Sequence, residues 1–360
     1  MTVHDPVLAA AHRTPDAQAR KPIPDDAAML RAAAELTRTL STANPAIYWP
    51  DFLASALLGY AALAGAVLFD STALAVISGL VAMLALYRAA SFIHELTHIR
   101  EGALPGFRFA WNLLVGIPLM IPSFMYEEVH TQHHARTRYG TANDPEYLPL
   151  ALMKPWSLPL FIIVAALAPI GLILRFGVLT PLSVLIPSLR QKVVAEFSAL
   201  SINPAYRRRA PEGNFARQWA WQEAGACVFA LALVGSVFAF GWKPLLIYMA
   251  VHSGMTVINQ LRTLVAHLWE NEGDAMTVTA QYLDSVNVPP PSPLAAIWAP
   301  VGLRYHALHH LLPSVPYHGL SKAHRRLIAT LEADSPYHRG NYKGMFPLVG
   351  KIARSTMTRR

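Results

Sequence analysis

The 360-residue chain has a single cysteine, Cys227, and it lies inside an apolar stretch. One cysteine excludes an intrachain disulfide and any Cys-x-x-Cys site for zinc, rubredoxin-type iron or thiol exchange. Cys227 is expected to be a small core residue. Charge is scarce too: Asp, Glu, Lys and Arg make up 14% of the chain and hydrophobic residues 53%, where a soluble domain carries roughly a quarter charged residues. The charge leans basic, with 30 Lys and Arg against 22 Asp and Glu. Those basic residues sit between apolar runs rather than on one polar unit, which argues against nucleic acid and fits the loops of a membrane protein. Met1 to about Asp26 lacks the apolar core of a cleaved signal peptide and is expected to be disordered. There is no internal repeat, so the related halves of a transporter are missing.

Long apolar runs are what the chain does have. Residues 27–41 place Met29, Leu30, Ala33, Leu36 and Leu40 on one stripe, predicting an amphipathic helix on the membrane surface. Residues 47–69 and 71–93 are each long enough to cross a hydrocarbon layer of ~30 Å, with a turn at Asp70-Ser71. Residues 109–125 are short and carry Pro118 and Pro122, which predicts a re-entrant segment. Residues 156–174 and 176–189 are divided at Arg175 and interrupted by Pro169, Pro181 and Pro187, predicting a short hairpin or an interfacial pair. A basic loop from Arg190 to Arg217, with Arg207, Arg208 and Arg209, is expected on the cytoplasmic side. Residues 218–240 and 244–265 then leave and return, turning at Gly241-Trp242-Lys243.

The predicted fold is therefore all-α and membrane-integral. It has about four long transmembrane helices, short re-entrant or interfacial helices and a cytoplasmic helical cap. The expected organisation is a tail with its amphipathic helix over 1–45, a membrane domain over 46–335 and a basic tail over 336–360. Paired crossings return the chain to one side, so both termini and all candidate ligands are expected on the cytoplasmic face.

Three histidine clusters lie beside these runs: His94-Glu95-Leu96-Thr97-His98, His130-Thr131-Gln132-His133-His134 and His306-Ala307-Leu308-His309-His310. Residues three and four apart share a helix face, so each cluster aims its imidazoles in one direction. Eight imidazoles exceed the four ligands of one zinc and suit two metals that accept nitrogen donors, such as iron.

An HxxxH box followed by two HxxHH boxes, each set after apolar hairpins, resembles the membrane fatty acid desaturase superfamily of non-haem di-iron desaturases, hydroxylases and oxygenases, over about residues 45–330. The resemblance implies metal ligation by His94, His98, His130, His133, His134, His306, His309 and His310. It adds a late histidine, matched by His267. Family acyl-CoA desaturases often place an asparagine four residues before that histidine, contacting a metal-bound water. Here the position is Thr263, with Asn259 a turn earlier. Glu95, Glu127, Glu128 and Asp144 are candidates to accept imidazole N–H bonds, or are ordinary helix-surface charges.

The implied activity is dioxygen-dependent oxidation of a fatty acid or acyl chain, with desaturation leading. Hydroxylation, or oxidative decarboxylation of a free fatty acid to a terminal alkene, are the alternatives. Two iron ions, dioxygen and an external ferredoxin, rubredoxin or cytochrome-type electron donor are implied, the donor attracted by basic loops such as Arg207–Arg209. Residues 94–98 also match HExxH, the helix of zinc proteases, with Glu95 as base; that reading leaves the other two boxes unexplained. His252, inside the 244–265 span, is expected to be a buried imidazole bonded to a neighbouring helix. Arg262 reads as an interfacial arginine or as the partner of a substrate carboxylate or headgroup.

Overall fold

A computed structural model describes residues 23–150 and 153–357; most of the N-terminal stretch expected to be disordered lies outside them. The described elements are helical, joined by isolated bridges but no strand. In chain order they include α1 (Ala27–Leu40), α2 (Pro45–Leu68), α3 (Thr72–His98), α4 (Val129–His133), α5 (Ser157–Ala166), α6 (Ala168–Leu185), α7 (Gly213–Phe240), α8 (Trp242–Leu264), α9 (Val278–Asp284), α10 (His306–Leu311) and α11 (Tyr317–Thr330).

Among the described residues, four helices are long and apolar enough to cross a membrane: α2, α3, α6 and α7. Their outward faces carry large bare hydrophobics, with Phe238 95% exposed and Leu68 75%. Such surface is untenable in water and natural against lipid. The count agrees with the sequence, but the membership differs. The prediction divided the chain at Arg175 and took 244–265 as the fourth span. Instead α6 runs through Arg175 as one helix containing a π-turn at Leu174–Leu179. Arg175 breaks nothing because its charge is matched: its guanidinium donates to Glu223 Oε1 at 2.6 Å, Ser198 Oγ at 2.9 Å and the Phe197 carbonyl at 2.7 Å. Pro169 sits in the first turn of α6, where a proline leaves no lost helix bond, and Pro181 directly follows the π-turn. Helix α8 does form, but Lys243, His252, Asn259, Gln260 and Arg262 make it less apolar.

The α2–α3 hairpin is the frame. Ser71 caps α3 at the turn. Gly59 lets the helices close, since a Cβ there would meet the Leu86 side chain at 2.6 Å. The only charges in the two runs pair across the hairpin, Arg88 giving two bonds to Asp51 at 2.8 and 2.6 Å. An antiparallel hairpin puts the start of α2 beside the end of α3. At that end Tyr48, Phe52, Phe92 and Phe107 pack edge-on with Tyr317 of α11.

Residues 107–125 fold back as expected of a re-entrant segment. Buried Asn112 accepts from the Ser123 amide at 2.8 Å and donates to its hydroxyl at 2.9 Å, closing the loop that carries both prolines. Helix α1 departs from its expected place on the membrane. Its buried Met29 and Ala33 pack with Tyr305, Leu308 and Leu320, so the apolar stripe is used by the cap. The stretch read as a basic tail is packed as well: a helix at Met345–Met357 buries Leu348 and Ile352.

Glu223 also accepts two bonds from Arg190 and one from the Trp219 indole. Removing it would strand a buried guanidinium, which costs about 3–5 kcal/mol. Glu223→Ala should therefore lower the thermal midpoint in detergent sharply. A midpoint equal to that of the wild type would show that this network holds nothing together.

Candidate metal centre

All three boxes and His267 meet at the α2-start, α3-end face of the bundle. His94 and His98 occupy the last turn of α3, where i and i+4 share a face. The second box follows the re-entrant fold as α4. The third box is α10, and a buried extended segment ties it to His267. In that segment Val286 donates to the Ala266 carbonyl at 2.9 Å, and Ala307 donates back to the Val286 carbonyl at 3.1 Å. Buried Asn287 accepts from the Leu308 amide at 2.9 Å.

The ligand atoms form two groups: His94, His98, His130, His134 and His309 in one, and His133, His267, His306 and His310 in the other. Each HxxHH box is shared in the same way. Its first and last histidines, one helical turn apart, serve one group, and the histidine between them serves the other. The groups adjoin, with the His134 and His310 rings stacked at 4.3 Å between centroids.

The spacing fits metals. Nε2 atoms approach at 3.0 Å for His130–His134 and His267–His306, 3.1 Å for His98–His309 and His306–His310, and 3.2 Å for His134–His309. A metal–nitrogen bond of about 2.1 Å sets ligands at right angles about 3.0 Å apart. Both ring nitrogens of His94 are buried without a protein partner, as a ligand pointing into such a centre would be.

Several rings are fixed from behind through Nδ1. His130 Nδ1 lies 2.9 Å from Glu146 and 2.8 Å from the Tyr126 hydroxyl; His133 Nδ1 lies 2.9 Å from Asp144; His267 Nδ1 lies 2.8 Å from the Tyr139 hydroxyl, which donates to Asp284. These bonds select the tautomer that turns Nε2 toward the centre. Burial holds His130, His134, His267, His306, His309 and His310 well below the usual imidazole range, so their lone pairs are free. At His133 burial pulls the same way, but the Asp144 carboxylate outweighs it and raises the ring. Burial pushes Glu146 up to about 7 and Asp284 up to about 6.

The carboxylates named from sequence divide. Asp144 supports His133, also accepting from the Gly140 and Glu146 amides at 2.8 Å. Glu95 turns away: it accepts from the Tyr48 hydroxyl and from the Tyr317 amide at 3.0 Å, while His94 Nδ1 stays 3.7 Å off. A protease base would instead face a metal-bound water, and the zinc-protease reading fails on this point and on the seven further imidazoles. Glu127 pairs with Arg108, and Glu128 lies 3.8 Å from Arg208; neither touches a ligand imidazole. Asn259 accepts from Arg262 at 3.0 Å and Thr263 is half-buried in the last turn of α8. His252 is buried, but both its nitrogens lack the neighbouring-helix partner expected of it.

Glu146, Tyr126, Tyr139 and Asp284 were missed as supports. The Asp144-Pro145-Glu146 run after the second box was the available signal for Glu146. Tyr139, in the stretch after the second box, reaches His267 across 128 residues of chain and in turn meets Asp284, which no local pattern marks.

The comparisons agree with this geometry. The family described as fatty acid desaturase matches residues 71–341. A protein named ceramide hydroxylase from Caulobacter vibrioides (strain NA1000 / CB15N) is 49% identical over 332 residues, covering 91% of this chain and 94% of that one. No solved structure matches the chain.

Removing a carboxylate behind a ligand histidine typically costs 10–100-fold in metal affinity. Asp144→Asn and Glu146→Gln should each weaken metal retention about that much in a chelator competition, and Glu127→Gln should not. Equal loss from all three variants would mean that the carboxylates act on folding rather than on the ligands.

Proposed function

The chain belongs to the fatty acid desaturase family of membrane oxidoreductases, and on that premise we propose that it is a di-iron hydroxylase of a ceramide-like lipid. The observation that carries the di-iron reading is the pair of adjoining, all-imidazole groups at the end of apolar helices. Imidazole suits iron, and zinc has no redox chemistry to offer dioxygen. The 49% identical ceramide hydroxylase supports hydroxylation over desaturation and a ceramide over a free acid.

Bound iron would supply the two-electron activation of dioxygen that opens an unactivated C–H bond. The balance is one lipid C–H, one dioxygen, two electrons and two protons giving C–OH and water. The chain's own residues hold the imidazoles neutral and aimed, and exclude bulk water through the buried shell of Tyr126, Tyr139 and Trp269. A cavity of about 270 Å³ lined by Tyr48, Glu95, His98 and Arg100 borders the first group at His98.

The electrons must come from outside, because one cysteine cannot hold a cluster. We assign a ferredoxin, rubredoxin or cytochrome-type donor to the histidine face. Arg207 and Arg209 are exposed there, Arg207 lying 3.8 Å from Glu196. Arg208 is not, as it is buried on the Ser198 and Glu127 carbonyls at 2.7 and 2.8 Å. The basic loop flanks the histidine end and the opposite turns carry little beyond Asp70 and Lys243, which supports a cytoplasmic histidine face with both termini on that side.

With iron, a reductant and labelled dioxygen, the protein should place one labelled oxygen into a ceramide. His133→Ala and His309→Ala, one from each group, should abolish turnover while the protein still inserts in membranes. An unlabelled alkene product would return the assignment to desaturation or decarboxylation, and full activity in either variant would remove that histidine from the centre.

A further inference from the structure

Four arginines in and beside the membrane domain meet carboxylates, two of them sharing one. Arg88 meets Asp51, Arg108 meets Glu127, and Arg175 and Arg190 meet Glu223. Arg262 breaks the pattern. It sits in the last turn of α8, five residues before His267. Among the described residues it forms no ion pair, and its one geometrically placed bond goes to the neutral Asn259 carbonyl oxygen at 3.0 Å. Its Nε is buried without a partner. The charge nevertheless lies near the centre, within electrostatic reach of His94, Glu146, His267 and His306, and within side-chain reach of the Tyr87 hydroxyl.

A cation set among imidazoles that must bind cations is unfavourable there. An unsatisfied guanidinium N–H adds to that cost. In a membrane protein such a group marks a ligand position rather than a structural one. The helix face bearing Arg262 continues inward at steps of four and three residues through Asn259, Met255, His252 and Tyr248, the last three buried. The arginine therefore stands at the end of an inward-facing stripe of α8, five residues before the ligand candidate His267.

We propose that Arg262, assisted by Asn259, binds the oxygen-rich polar head of the lipid substrate. The guanidinium donates to acceptor oxygens, either the amide carbonyl and hydroxyls of a ceramide or the carboxylate of a free acid. This holds the head beside the metal groups, so oxidation falls close to the head rather than at mid-chain. The inference rests on the lipid-oxidation reading above and names the residue that recognises the head. Arg262 is a positioning residue here, since it anchors the substrate and leaves the reacting carbon to the centre.

The test uses full-length wild type, Arg262→Met and Arg262→Lys in detergent, with iron content and ligand-free thermal midpoint measured first. Midpoint shifts are then read with C16 ceramide, palmitic acid and hexadecane. The expected result is equal iron and equal ligand-free midpoints, with the ceramide shift needing roughly 10- to 100-fold more lipid in Arg262→Met and partly restored in Arg262→Lys. In turnover, the ceramide product should carry its hydroxyl near the amide, and Arg262→Met should scatter that position.

A wild-type shift with palmitic acid and not ceramide, again lost in Arg262→Met, would keep Arg262 as the head-binding residue and overturn the ceramide assignment instead. An unchanged lipid response in Arg262→Met, or a fall in iron and ligand-free midpoint together, would overturn the proposal.

Discussion

Everything at the functional end depends on aiming lone pairs. Nine imidazoles gather in a space with little water, and each must stay neutral and point a nitrogen inward. Burial favours the neutral form, because a protonated ring there would lose its hydration, although at His133 the Asp144 carboxylate pulls the other way. Direction comes from behind, where Glu146, Asp144 and the Tyr139–Asp284 pair take the Nδ1 positions. The frame exists to bring those two demands together. The α2–α3 hairpin and the end of α8 deliver the first box and His267 to one face, and the extended segment through Asn287 locks the third box beside them.

The same physics explains how charge is handled elsewhere. A hydrocarbon surround makes a lone ion costly, so Asp51 and Arg88, and Glu223 with Arg175 and Arg190, are found as pairs. The pairing of Arg175 is what lets α6 continue unbroken. Set against that rule, Arg262 has no carboxylate partner among the described residues, which is why we assign it a partner from outside the chain.

Much of this was legible in the sequence. The boxes were readable because i, i+3 and i+4 spacing on helices already brings imidazoles to one face, and the hairpins because length alone decides whether a run can cross a membrane. What escaped depended on contacts between segments remote in sequence. Arg175 looked like a break because Glu223 is 48 residues away. The α1 stripe looked membrane-bound because an apolar face does not say whether lipid or protein covers it, and Met29 turned out to lie under Tyr305 and Leu308. Glu127 and Glu128 adjoin the second box in sequence yet face arginines, while Glu146, further along, reaches His130. Adjacency in the chain is a poor guide to which carboxylate stands behind a ring.

The central claim is that the two imidazole groups hold an iron pair. Metal analysis of the wild-type protein, purified in detergent after growth with iron, combined with Mössbauer spectroscopy, addresses it most directly. The account predicts about two irons per chain in a nitrogen-rich environment, coupled to one another. One zinc per chain, or a single uncoupled iron, would contradict it.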